Sequence, residues 1–147
     1  MKEYIIREIE EEDLKHGFFQ TLGNLTYVGN PDFERAKQVL KLIKNNPLHR
    51  IYVSPDRNSN EILGATTLLV EPKFIHDCSS VGHIEDVVTH TSYEGQGIGT
   101  ALMRKALEDA LEVGCYKVIL DCPEKRISFY ERLGFRRHNQ EMRLDLK

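Results

Sequence analysis

The chain has 147 residues, a length that fits one domain with one sizeable core. Its 29% charged and 40% hydrophobic residues have the balance of a soluble globular protein, no apolar run approaches a membrane span, and a net charge of −3 without a long Lys/Arg run argues against nucleic acid as partner. The start "MKEYIIREIEEEDL" fits neither a signal nor a transit peptide, and Cys78, Cys115 and Cys122 lack metal-ligand spacing, so a cytoplasmic, metal-free chain with reduced thiols is expected.

In chain order, "EYIIREI" reads as a short strand. "EEEDLKHGFFQTLGNL" opens with an acidic turn and carries a helical stripe at Leu14, Phe18 and Leu22. "NPDFERAKQVLKLIKNN" has a helix start at Asn30-Pro31 and an apolar face at Phe33, Ala36, Val39, Leu40 and Ile43. "HRIYVS" is a strand closed by the turn "PDRNSN", and "EILGATTLLVE" and "VGHIEDVVTH" are two more, separated by "PKFIHDCSS". "IGTALMRKALEDALEVG" is the clearest helix, with Ile98, Ala101, Leu102, Ala106 and Leu111 inward and Gly114 as its stop. "CYKVILDC" reads as a buried strand, "PEKRISFYERLG" as a short helix, and "FRRHNQEMRLDL" as a final strand or hairpin. The order β-α-α-β-β-β-α-β-α-β predicts an α/β fold with a mixed sheet and helices on both faces.

The glycines Gly95, Gly97 and Gly99 stand where a strand gives way to a helix. Such a turn exposes a cup of backbone N–H groups at the positive end of the helix dipole, a natural seat for a phosphate-type anion. A P-loop needs Lys then Ser/Thr after its last glycine, which Ile98-Gly99-Thr100 does not supply. A Rossmann fingerprint needs different spacing after a first parallel strand. An acyl-CoA pyrophosphate loop fits "EGQGIG", and a tight turn without ligand is the plain alternative.

Carboxylates at Glu85 and Asp86 interrupt an apolar strand, on opposite sides if the strand alternates regularly. One of them facing solvent is the plain alternative to a site. Asp121 ends the next buried segment, as a site carboxylate or as an N-cap of the helix that follows. By position alone Tyr130 is a core residue, and Lys73 with His76 is a solvated basic pair.

The segments "LTYVG", "EPKFIH", "GHIEDVV", "YEGQGIG", "GCYKVILDC" and "FYERLGF" together resemble the GNAT acyltransferase superfamily and, within it, the glucosamine 6-phosphate N-acetyltransferase family. The resemblance implies a mixed, mostly antiparallel sheet splayed at a bulge within "HIEDVV", a homodimer, and acetyl-CoA as cosubstrate for N-acetylation of a small sugar phosphate. It implies a cofactor site at Glu94, Gly95, Gln96, Gly97, Ile98, Gly99 and Thr100. Arg126, which stands where the family has Asn, either reaches a cofactor phosphate or is solvated. The backbone N–H of Val87 or Val88 would polarise the thioester oxygen, and the Tyr130 hydroxyl would face the sulfur. Glu85, Asp86 and Asp121 would hold the sugar hydroxyls and amine. Thr26, Lys73, Phe74, Ile75, His76 and Arg143 would form the sugar-phosphate site, completed across the dimer. Glu94 departs from the family's Gln or Arg, and Arg143 follows Met142 directly, closer than the family places its arginine. The rival functions are a GNAT enzyme for another amine and a non-catalytic CoA-binding module.

Overall fold

The computed structural model describes residues 2–147. Its five strands, β1 (Arg7–Glu8), β2 (His49–Pro55), β3 (Ile62–Pro72), β4 (Ser80–Thr89) and β5 (Cys115–Ile119), lie in one sheet in chain order. The helical elements are α1 (Phe18–Leu22), α2 (Phe33–Lys44), the single turn α3 (Ile75–Cys78), α4 (Ile98–Glu112) and α5 (Ile127–Arg132). Strands β1 to β4 form an antiparallel meander, and β5 joins β4 in parallel after the crossover through α4. The α/β mixed sheet expected from the sequence is therefore present.

Strand alternation distributes the core over two faces. Tyr52, Leu68 and Ile84 pack against Leu102, Met103, Ala106 and Ala110 of α4 and Tyr130 of α5. Val53, Ala65 and Val88 pack on the other face with Leu14, Phe18, Ala36 and Leu40. Ile84 and Val88 are four residues apart, so a regular strand would point both to one face. A bulge reverses the sense between them: Thr67 pairs with Glu85 and Ala65 with Val88, leaving Asp86 and Val87 opposite Thr66 alone. Asp86 absorbs the bulge with φ of 50°. Pairing of β4 with β5 ends at His83 with Ile119, while β4 runs on to Thr89, so the sheet opens from that point.

Helix α4 is anchored by more than its apolar stripe. Asp109 lies within that stripe and is 6% exposed. It accepts hydrogen bonds from Tyr52 Oη at 2.6 Å and Lys105 Nζ at 2.9 Å, with Arg50 at 3.4 Å. Burial pushes its carboxyl upward, but the Lys105 and Tyr52 hydrogen bonds and the nearby charges outweigh that and hold it below the usual carboxylate range.

Several expectations are corrected. Of "EYIIREI" only Arg7–Glu8 pairs as a strand, because Tyr4 and Ile6 pack against the α4-side core instead. The helix expected over residues 10–25 is a 3-10 turn (Glu11–Lys15) followed by α1. Gly17 separates them at φ of 81°, and His16 O accepts from Ile62 N on β3 at 2.8 Å. Helix α2 begins at Phe33, not at Asn30-Pro31, with Asp32 Oδ1 capping Arg35 N at 3.1 Å. Leu111 is 77% exposed: nine residues from Leu102, at about 100° per residue, it stands on the opposite side of the helix. "CYKVILDC" is half-buried, not buried, and its strand stops at Ile119. Residues 135–146 form no strand, because no partner strand stands beside them within one chain, and Met142, Leu144 and Leu146 are exposed.

Candidate active site

Strand β4 leaves the sheet through a 3-10 turn (Thr91–Tyr93) and the loop Glu94-Gly95-Gln96-Gly97 before α4 begins. Gly95 and Gly97 take φ of 75° and 97°, conformations that residues with a side chain rarely adopt. Gly97 is the N-cap of α4, and the first N–H groups beyond it, at Ile98, Gly99 and Thr100, have no acceptor within the helix. Space above the loop is open: a Cβ at Gly97 would come no nearer than 3.8 Å to Tyr4, and one at Gly95 would touch nothing within 4 Å. Gln96 is held from behind, its carbonyl accepting from Tyr4 Oη at 2.7 Å and its amide oxygen from Lys2 Nζ at 3.0 Å. Ile98 is buried and seats the loop on the core. A phosphate group fits this donor set. Glu94 pairs with Arg126 at 3.5 Å, so the chain's two departures from the family pattern meet each other.

Glu85 and Asp86 flank the start of the bulge, and both are exposed. The left-handed Asp86 interrupts the expected alternation, so neither is forced inward. Partial burial of Glu85, together with the like charges of Asp121 and Asp86, raises its carboxyl pKa above the usual range. Asp121, two residues past Ile119, therefore comes close enough to act on Glu85. It caps no helix: Pro123 is the N-cap of the turn that follows, and no side chain bonds there. Glu85, Asp121, Cys122 and Tyr130 line one cleft of about 860 Å³ on the opened side of β5. Tyr130 is 9% exposed, packed edge-on against Phe129 and Phe135. Burial, with the Cys122 and Asp121 charges, pushes its hydroxyl up to about 12 against a smaller opposing effect of Arg126, so it remains a neutral donor.

Asp86, Val87, Val88, the loop from Glu94 to Thr100 and Arg126 are not in the lining of that cleft, and the sugar-phosphate candidates stand apart from it as well. Lys73 pairs with Glu71 at 3.0 Å. Phe74 and Ile75 are exposed, and His76 stacks on Tyr116 with centroids 4.1 Å apart. His76, Asp77 and Cys78 all take left-handed φ. Thr26 lies exposed after α1, and Arg143 pairs with Asp145 on the tail. Among the described residues none of these six lines the cleft. One residue that sequence reasoning missed does: His83, whose Nε2 lies 2.9 Å from Glu71 Oε1. The signal was its place two positions before Glu85, on the same side of the strand.

The family model described as "Acetyltransferase (GNAT) family" matches residues 7–135. A glucosamine 6-phosphate N-acetyltransferase of Trypanosoma brucei brucei is 40% identical, over 96% of this chain and 95% of the relative. One from Arabidopsis thaliana is 32% identical over 93% of each. A probable enzyme of the same name from Drosophila melanogaster is 38% identical over 88% of this chain, which spans 59% of that relative's length. The crystal structure of the Arabidopsis thaliana enzyme superposes with a TM-score of 0.96 at 31% identity, covering 99% of this chain and 100% of that one. A Trypanosoma brucei acetyltransferase superposes at 0.91 with 38% identity, over 98% and 100%. With the bulged strand, the glycine loop and the family match in agreement, the chain belongs to the acetyltransferase (GNAT) family.

Proposed function

We propose that the protein transfers the acetyl group of acetyl-CoA to the 2-amino group of D-glucosamine 6-phosphate, by direct transfer in a ternary complex. The observation that carries this reading is the run of relatives with that named activity, matched over nearly the whole chain. The catalytic unit is the single domain of residues 1–147, acting in the cytoplasm as a homodimer. The exposed apolar residues Met142, Leu144 and Leu146, alternating along an unpaired tail, supply a surface for a second copy.

Acetyl-CoA supplies an activated acyl carbon and a thiolate leaving group. The loop Gly95–Gly99 cradles its pyrophosphate with backbone N–H groups. The N–H of Val87, which the bulge leaves outside the regular register, or that of Val88 beside it, polarises the thioester oxygen. An amine beside a sugar hydroxyl resembles an α-amino group with pKa near ~8, so part of it is neutral at pH 7. Glu85, Asp86 and Asp121 orient that amine, and Glu85, harder to ionise than an ordinary carboxyl, accepts from it. As the C–N bond forms and the C–S bond breaks, the Tyr130 hydroxyl donates a hydrogen bond to the departing sulfur. The amine's surplus proton leaves through the carboxylates and water. Burial and the Asp121 and Glu124 charges raise the Cys122 thiol's pKa, which opposes an acetyl-cysteine route. Lys73 and His76 take the sugar phosphate across the dimer, with Thr26 and Arg143 beside them.

The test is the ratio of kcat/KM for glucosamine 6-phosphate to that for glucosamine. Two charge-assisted contacts to the phosphate are worth about 3–6 kcal/mol, roughly a hundred- to ten-thousandfold. Equal reaction of the two sugars would overturn the sugar-phosphate assignment.

A further inference from the structure

A carboxylate at the rim of an anion cradle is a liability. Glu94 immediately precedes Gly95, and a free side chain there is itself an anion placed beside the N–H groups of the loop. It could fold over them and compete with an incoming phosphate. The structure gives that carboxylate a cationic partner. Arg126, the residue just before α5 and 32 residues further along the chain, places its Nη2 3.5 Å from Glu94 Oε1. Both side chains are about half exposed, with relative exposures of 53% for Arg126 and 47% for Glu94, so the contact adds little to folding. Its place is more telling than its strength. The loop backbone is fixed on both sides of Glu94, by Thr91 N donating to Asn24 Oδ1 at 2.6 Å and by the Tyr4 bond to Gln96. The Glu94 side chain is therefore the free anionic element of the loop, and Arg126 is its partner.

We propose that Arg126 is a positioning residue that keeps the Glu94 carboxylate out of the pyrophosphate loop, and does not itself bind the cofactor. The inference rests on the reading that this loop holds the pyrophosphate of acetyl-CoA. It separates two roles for Arg126. A cation that contacts the cofactor directly matters whatever stands at residue 94. A cation that restrains Glu94 matters only while Glu94 is acidic.

The experiment is a double-substitution cycle read by calorimetric titration of CoA into the purified protein, with melting temperatures recorded for each variant. Arg126→Gln weakens CoA binding about three- to tenfold, the scale of a single charge contact near the surface. Glu94→Gln leaves binding equal to or tighter than in the unmodified protein. In the Glu94→Gln background, Arg126→Gln changes binding by less than about twofold, and this rescue is a readout that a merely structural role of Arg126 would not produce. In turnover, Arg126→Gln raises KM for acetyl-CoA and leaves kcat unchanged. If the full loss persists in the Glu94→Gln background, Arg126 acts on the cofactor itself and the proposal fails. A silent Arg126→Gln overturns it too. Failure of the unmodified protein to bind CoA at all would instead sink the reading of the loop on which it rests.

Discussion

Asp109 and Glu85 carry the same chemical group, and the protein surrounds them in opposite ways. Asp109 is sealed under α4 with three donors around it, and its carboxyl ionises more readily than usual. Glu85 stands at the bulge, where partial burial and the like charges of Asp121, Asp86 and Glu141 make it ionise less readily. The first region is satisfied and therefore structural. The second is left in need of a cationic or hydrogen-bonding partner, which an amine substrate supplies. Within one small domain the difference between framework and site is whether the polar group already has its partners.

The largest effect expected from breaking this contrast is at Asp109. Asp109→Ala strips the Tyr52 hydroxyl, Lys105 and Arg50 of their acceptor and should cost about 2–4 kcal/mol, read from denaturant unfolding. A loss below half a kcal/mol would mean that the buried knot is dispensable. Tyr130→Phe comes next, on the site's side. Its hydroxyl has no protein hydrogen-bond partner among the described residues, so removing it should leave stability nearly unchanged. It should lower kcat by about ten- to a hundredfold, equivalent to about 1.5–3 kcal/mol. Unchanged kcat would return Tyr130 to a packing role.

The smallest effect sharpens the comparison most. The folded state holds the proton on Glu85 more tightly than the unfolded state does, so ionisation of Glu85 penalises folding at neutral pH. Glu85→Gln should therefore raise stability slightly at pH 7, within about 0.5 kcal/mol, while lowering turnover. The gain should disappear as pH falls below the ordinary carboxylate value near ~4.3, where both states are protonated. A melting temperature that drops at pH 7 in Glu85→Gln would show that the carboxylate has an unrecognised partner.

What the sequence made legible follows from range. Periodicity located α4 and the central strands, because apolar spacing is a local property of the chain. The glycine loop was legible because Gly95 and Gly97 have to take positive φ where a strand meets a helix. The bulge came only from the resemblance: nothing in "HIEDVV" itself indicates that Asp86 will turn left-handed. Long-range pairings were out of reach. Tyr52 and Asp109 are 57 residues apart, and Glu94 and Arg126 are 32 apart. Asp109 did leave a trace, since it follows Leu102 and Ala106 at helical spacing and so sits in an apolar stripe where a carboxylate needs partners. The missing final strand has the opposite cause. The alternation of Met142, Leu144 and Leu146 is present, but a strand requires a neighbour, which one chain does not provide.

The single parallel pairing in the sheet also orders events in time. Strands β1 to β4 meet through antiparallel neighbours, whereas β5 reaches β4 only after the whole of α4 has been laid down and folded back. Closing that longer loop is slower than closing a hairpin. Because the opened side of the sheet exists only once β5 has docked and parted from β4, the cleft forms no earlier than that crossover. During refolding, helical and strand signals should therefore return before the cleft can bind anything, and a chain caught between the two stages would look largely native while remaining inert.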